Sequence, residues 1–476
     1  MTFSLSTRQS LQGRCLTMKD DRMETPIYTK LKEYHKKNRI PFAMPGHKNG
    51  RGLAADLKKC DVTELAATVD LHGQSPEVTR ANELLSELYG SDKSFIMTGG
   101  STEGVQAMLS SVLTPGDTLL AGADCHVSVI NTCALCGFRL RLVPIRYDEE
   151  FCIPTANEDF EITPDIKAVL MTSPNYYGIA KDIKGIAEKC HAAGVPLLVD
   201  EAHGAHFGSP MFSGLGDFPK SAVRYADMVC QSAHKTLNAL TGAAYLHIKE
   251  GLIDIKRVKR ALASFGTSSP SYPIAASADI ARAELEYSDY GAIIEKCVDL
   301  EFDLEKLDIK VLENDDITRV VIGFSEYELT GFEVARRLSD KYGIDVEMAD
   351  MNNIVLIATP WNKALDFAKL TKALGEIVGG AEKRSRRPMI LPPPVTDTVV
   401  SPSCGWYAET ELVPLEEATD RIAATTITAY PPGTAIVVTG ERIRNESIEY
   451  IKKLINAGAQ LKGISGDKAE VVKWTG

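Results

Sequence analysis

No stretch constrains the fold of this chain more than the apolar run Val195-Pro196-Leu197-Leu198-Val199-Asp200. A short run of apolar residues without alternation reads as a strand buried on both faces, the pattern of a parallel sheet covered by helices, and this one ends in a carboxylate. A second such strand, Met228-Val229-Cys230-Gln231-Ser232, delivers Lys235 just past its own end. In open α/β sheets, ligands bind outside the carboxyl ends of the strands. A lysine and an aspartate converging there suit pyridoxal phosphate: the lysine forms the Schiff base and the aspartate keeps the pyridine nitrogen protonated. Taken alone, the pair also fits a surface lysine and a helix-capping aspartate, so it needs support from elsewhere in the chain.

Thr98-Gly99-Gly100-Ser101-Thr102 supplies that support. It follows the apolar stretch Phe95-Ile96-Met97 and opens a helix in which Val105, Met108, Leu109 and Val112 share one face. Glycines ahead of a helix start let backbone N–H groups close on an anion, and the helix dipole favours its charge. Gly100, Ser101 and Thr102 are therefore expected to cradle a phosphate. Ser232 and His234, which flank the lysine, are placed to hold it from the other side.

Three motifs then carry a resemblance: Ser173-Pro174-Asn175-Tyr176-Tyr177-Gly178, Asp200-Glu201-Ala202-His203-Gly204-Ala205-His206-Phe207 and Ser232-Ala233-His234-Lys235-Thr236-Leu237. Together they closely resemble the bacterial ornithine/lysine/arginine decarboxylases. The likeness begins at Pro45-Gly46-His47-Lys48, runs through Thr267-Ser268-Ser269-Pro270 and returns in Ala429-Tyr430-Pro431-Pro432-Gly433 and Gly440-Glu441. The length is similar to that of the shorter members, which lack an N-terminal wing domain.

The resemblance implies the aspartate-aminotransferase-like α/β fold (fold type I): a large domain with a mostly parallel sheet, followed by smaller α+β units. It implies pyridoxal 5'-phosphate as cofactor and α-decarboxylation of a basic amino acid, arginine or lysine before ornithine. By position, Lys235 matches the Schiff-base lysine and Asp200 the partner of the pyridine nitrogen. His126 matches the histidine stacked on the ring, and Ser101, Ser232 and His234 match phosphate contacts. His203 is a further candidate cofactor contact. Thr267 and Ser268 match a loop that reaches the phosphate of a neighbouring subunit, which implies a homodimer or higher homo-oligomer with shared active sites. Glu441 is the candidate for the substrate's distal charge, and Cys404 a candidate in the partner's pocket. Lys235 or His234 is the nearest proton donor for Cα.

This chain departs from the family pattern at Gly100-Ser101-Thr102, at Gly242 and in Ser401-Pro402-Ser403-Cys404-Gly405-Trp406. These departures bear on the substrate more than on the cofactor. Aminotransfer or a lyase reaction on another amino acid stays open, since it would keep every cofactor residue. A non-catalytic module on this fold would be expected to have lost Lys235 or Asp200.

Composition narrows the partners. A net charge of −11 argues against nucleic acid while leaving a cationic substrate acceptable. Ten cysteines are scattered, and Cys133-Ala134-Leu135-Cys136 is the one CxxC pair. It reads as a helix end, and without a second pair no metal site is expected. The chain has no apolar run long enough to span a bilayer and no secretory h-region at its start, so a cytoplasmic enzyme is expected. The expected domains are a leader over 1–22, a helical arm over 23–50, the cofactor-binding domain over 51–310, a small α+β domain over 311–382, a linker over 383–404 and a C-terminal cap over 405–476. Strands are expected over 227–235 and 241–248, and a helix over 332–342.

Overall fold

The computed structural model describes residues 26–65, 67–73, 75–212, 218–387, 391, 393, 398–429 and 433–473. The helix Pro26–Lys36 belongs to a first unit that ends at Arg39, and Ile40 onward forms a second.

A seven-stranded sheet organises the second unit. Its strands are β1 (Lys93–Met97), β2 (Thr118–Gly122), β3 (Arg139–Val143), β4 (Ile166–Thr172), β5 (Leu197–Asp200), β6 (Met228–Gln231) and β7 (Ala244–Ile248), in the spatial order β1-β7-β6-β5-β4-β2-β3. The five strands β6-β5-β4-β2-β3 pair in parallel, and β7 runs antiparallel to both its neighbours. Strands β2, β5, β6 and β7 are buried along their whole length, which is why they read as continuous apolar runs. Helices cover the sheet. Asp182 caps one of them, Ile183–Ala192, by accepting from the Gly185 N–H at 3.0 Å. That helix leads into β5, so Asp200 emerges at the carboxyl end of a strand wedged between two parallel partners.

The expected strand over 227–235 stops at Gln231. Lys235 sits instead in a single helical turn, Ala233–Thr236. The strand expected from 241 begins at Ala244, because Gly242 takes a positive φ of 100° and gives its carbonyl to the Gly100 N–H at 2.8 Å.

The small α+β unit has a four-stranded antiparallel sheet built from β8 (Lys310–Val311), β9 (Arg319–Gly323), β10 (Met348–Ala349) and β11 (Asn353–Ile357), in the order β8-β9-β11-β10. The helix expected over 332–342 is α-helical over Gly331–Arg337 and widens to a π turn over Leu338–Tyr342. Ile40–Phe42 pairs in parallel with Ile344–Val346, so this early segment is tied to the small unit. Two three-stranded antiparallel sheets and the helix Asn445–Asn456 form the C-terminal part around its own apolar cluster. The expected linker lies partly outside the described residues, as do Tyr430, Pro431 and Pro432. Two of the linker's basic residues are engaged: Arg384 pairs with Glu328 at 2.9 Å, and Arg387 donates to the Leu329 carbonyl at 2.7 Å. Among the described residues, no helix is long and apolar enough to cross a membrane.

Candidate active site

Strands β5 and β6 lie side by side in parallel, with Asp200 opposite Cys230. Their carboxyl ends therefore open on one place, a cavity of about 580 Å³ lined by Asp200, Ser232, His234 and Lys235. The turn after β1 contributes Gly100, Ser101 and Thr102 to the same cavity, and His126 and His203 complete the set of expected residues found there. Segments far apart in the chain thus converge on one site.

The local geometry follows from the sequence. Gly100, with φ of 73°, begins the helix Gly100–Val112; its own N–H goes to the Gly242 carbonyl, and Ser101 and Thr102 bring the helix start to the cavity. His126 is the N-cap of the helix Val127–Cys136. Its Nδ1 accepts from the Ser128 N–H at 3.2 Å, so the ring proton sits on Nε2. Nδ1 of His234 lies 3.0 Å from the Ala243 carbonyl, which can only accept, so His234 carries its proton on Nδ1. Burial lowers the pKa of both rings to about 4. Both are therefore neutral imidazoles near neutral pH.

Asp200 accepts from the Ala202 N–H at 3.1 Å through one oxygen. Burial raises its pKa, and the charge on Lys235 works against that rise. Lys235 is half-buried. Burial lowers its pKa, Asp200 and Glu347 oppose that, and Arg319 adds to the lowering. Its Nζ lies 3.0 Å from Nε2 of His203.

Pyridoxal phosphate fits these residues on evidence within the cavity itself. The hydroxyls of Ser232 and Thr172 are buried and lack a hydrogen-bond partner among the described residues, yet both residues line the cavity. Buried polar atoms left unsatisfied cost about 1–3 kcal/mol each, and a polar ligand removes that cost. A helix N-terminus for an anion, a carboxylate for a ring nitrogen and a buried amine for an aldehyde meet within one cavity.

Four expected residues lie elsewhere. Thr267 and Ser268 are exposed and do not line the cavity of their own chain, although the Thr267 carbonyl is held by His72 at 2.8 Å. Cys404 is exposed in the short helix Pro402–Tyr407. Glu441 is buried and accepts from the Val438 N–H at 2.9 Å, with Arg444 at 3.9 Å. It closes its own turn and is not brought to the cavity of its own chain.

Sequence reasoning missed two acidic residues that do line the cavity. Glu347 accepts from the Met44 N–H at 2.8 Å and from the Tyr176 hydroxyl. Its sequence setting, Ile344-Asp345-Val346-Glu347, looks like an ordinary half-exposed strand, and only the fold carries it to Lys235. Asp124 pairs with Lys181 at 2.8 Å, both buried, and holds the Ala156 N–H at 2.9 Å. It stands two residues before His126, a residue the sequence had singled out, which was the available signal.

A fold type I core with a lysine and an aspartate at adjacent strand ends defines the class, a pyridoxal-phosphate enzyme of the aspartate-aminotransferase type. The comparisons narrow it. Residues 25–322 match the model of the Orn/Lys/Arg decarboxylase major domain, and residues 400–471 match that of the Orn/Lys/Arg decarboxylase C-terminal domain. The chain belongs to the Orn/Lys/Arg decarboxylase family and is an amino-acid decarboxylase. It is 31% identical to the arginine decarboxylase of Bacillus subtilis, over 92% of this chain and 95% of that protein. The lysine decarboxylase LdcF of Francisella novicida superposes with a TM-score of 0.74 at 19% identity, covering 94% of this chain and 81% of that one. The serine palmitoyltransferase of Sphingomonas wittichii superposes with a TM-score of 0.57 at 14% identity, covering 72% and 88%. These two structures speak for the fold.

Proposed function

We propose that this protein decarboxylates arginine at Cα with pyridoxal phosphate, in a homodimer or larger homo-oligomer whose active sites are shared. The observation that carries arginine over lysine is the 31% identity to the arginine decarboxylase of Bacillus subtilis along nearly the whole of both chains. The constitutive lysine decarboxylase of Escherichia coli is less similar, at 24% identity over 93% of this chain and 79% of that protein.

Bound in the cavity, pyridoxal phosphate supplies the electron sink for the pair released at Cα when CO₂ leaves. The protein does the rest. Lys235 is the amine that would hold the cofactor covalently. Asp200 keeps a proton on the pyridine nitrogen. Gly100, Ser101, Thr102 and Ser232 bind the phosphate, and His126 covers the ring face. His234 has its single proton engaged by the Ala243 carbonyl, which leaves it poorly placed to return a proton to Cα. The exposed Thr267–Ser268 loop suits a contact to the neighbouring subunit's phosphate.

An amine-product assay with arginine, lysine and ornithine tests the reading. Arginine is expected to exceed lysine in kcat/KM by at least about tenfold, the scale at which a pocket built for one terminal group rejects another. A preference for lysine or ornithine would overturn the arginine assignment.

Glu441 gives a second prediction. Glu441→Ala removes the acceptor for the Val438 N–H and should destabilise the fold by about 1–3 kcal/mol, read by urea unfolding. Glu441→Gln keeps an acceptor there. If Glu441 meets the substrate's guanidinium across a subunit boundary, this variant raises KM for arginine at least about tenfold with the unfolding midpoint nearly unchanged.

The neutral histidines predict a pH dependence. His126 and His234 bind protons less well folded, at about 4, than at their ordinary value of 6.5. Between those values the unfolded chain takes up more protons, so stability is full above pH 6.5 and falls as the pH drops toward 4. Denaturant midpoints measured between pH 4 and 7 should show this slope. The double variant His126→Asn, His234→Asn should make it shallower, leaving the share of His203 and His247, whose pKa values burial also lowers.

A further inference from the structure

A buried arginine outside the cavity bears on the charge state of Lys235. Arg319 opens β9 in the small unit, is 1% exposed, and does not line the cavity. Its Nη2 lies 3.0 Å from Nδ1 of His203, while its Nε and Nη1 have no hydrogen-bond partner among the described residues. A guanidinium only donates. Nδ1 of His203 therefore accepts, and the proton of this neutral ring is on Nε2. That nitrogen is the one 3.0 Å from Nζ of Lys235. A ring N–H can only donate, so the lysine must accept, and an ammonium has no lone pair with which to do so.

We propose that Arg319 is a positioning residue: by donating to Nδ1 of His203 it fixes the ring proton on Nε2 and so holds Lys235 as the neutral, nucleophilic amine. Without that donor the ring is free to turn its Nε2 lone pair toward Lys235 and accept from an ammonium. The same arrangement keeps a donor N–H beside Lys235 whenever its amine is freed. Tyr176 limits ring rotation, its ring centroid lying 4.5 Å from that of His203. The charged and titratable groups around the pair are Asp200, Glu347, Cys230 and Arg319 facing Lys235, and Arg319, His126 and His234 facing His203. Burial lowers the pKa of both, and Arg319 adds to the lowering in each case.

The inference rests on Lys235 being the cofactor lysine, and the experiment separates the two. The full-length protein, stripped of pyridoxal phosphate and labelled with 15N-histidine, is examined by NMR, with His203→Asn identifying the His203 signals. The expected spectrum shows a protonated Nε2 and a bare Nδ1; a protonated Nδ1 overturns the proposal. In parallel, the rate of covalent recapture of pyridoxal phosphate is followed against pH by its visible absorbance. Arg319→Met should move the apparent pKa of capture up by at least about one unit, a tenfold slower capture at pH 7, and should release the Nε2 tautomer. Arg319→Lys, which keeps both the charge and a donor-only group, should restore both. A moved pKa with the Nε2 tautomer intact in Arg319→Met would mean that charge alone acts, and the proposal fails. Absence of covalent capture in the unaltered protein would instead sink the assignment of Lys235.

Discussion

Lys235→Ala is expected to abolish covalent capture of pyridoxal phosphate and to lower kcat by at least about 10⁴-fold, the scale lost when a covalent nucleophile is removed. The lysine sits at the meeting point of the parallel strands, with its pKa lowered by burial. A buried amine opposed by only partial charge compensation favours its neutral form, which is the form that attacks an aldehyde. Removing it leaves the phosphate cradle and Asp200 in place, so the variant should still bind the cofactor without a bond to it. Dialysis then distinguishes the two proteins: the unaltered one keeps its visible absorbance and the variant loses it. Retained turnover in Lys235→Ala would remove the basis of the whole assignment.

Asp200→Asn is expected to reduce kcat by about 10²- to 10⁴-fold, the range in which a preorganised charge at a reacting centre acts. The substitution is nearly isosteric, and the bond from the Ala202 N–H to the side-chain oxygen, 3.1 Å in this structure, remains available. Folding should therefore be little affected. An amide cannot hold a cation on the ring nitrogen as a carboxylate does, so the electron sink weakens while substrate binding stays. The observed split should be a large fall in kcat with KM within a few-fold. A raised KM with kcat unchanged would show that Asp200 serves binding and not the release of CO₂. Asp200→Glu keeps the charge but lengthens a side chain packed between β4 and β6, and should recover only part of the loss.

Much of this site is legible in the chain alone. Asp200 and Lys235 each follow a continuous apolar run, and a run of that kind is a buried parallel strand whose carboxyl end is where ligands bind. Gly99-Gly100-Ser101 announces a helix start able to take an anion. In each case the chemistry and the local backbone signal occupy the same few residues, so reading along the chain is enough.

Other residues give no such signal. Glu347 lies 303 residues from Met44 and 171 from Tyr176, the two groups it holds. Arg319 reaches a histidine 116 residues away. In the sequence Arg319 is the polar first residue of an apolar strand and Glu347 an alternating polar one, patterns shared by countless solvent-facing positions. Glu441 shows the converse. The sequence marks it as a substrate contact, whereas in its own chain its carboxylate is turned onto the Val438 N–H. The expected strand through Lys235 ends four residues early for a related reason. Local apolar pattern does not report where the ladder loses its partner, and beyond Gln231 the chain turns to give Lys235 its helical seat.

The sequence by itself pointed to a parallel α/β sheet, to the lysine–aspartate pair and to the glycine turn, because periodicity, glycine geometry and strand-end chemistry are local properties of the chain; the fold type came with the family resemblance that its motifs carry. Only the tertiary structure decided which buried charges surround that lysine and which nitrogen of His203 carries the proton. Those depend on donors and carboxylates brought in from the small unit, and electrostatic and hydrogen-bond energies are set by distances in space that the order of residues does not contain.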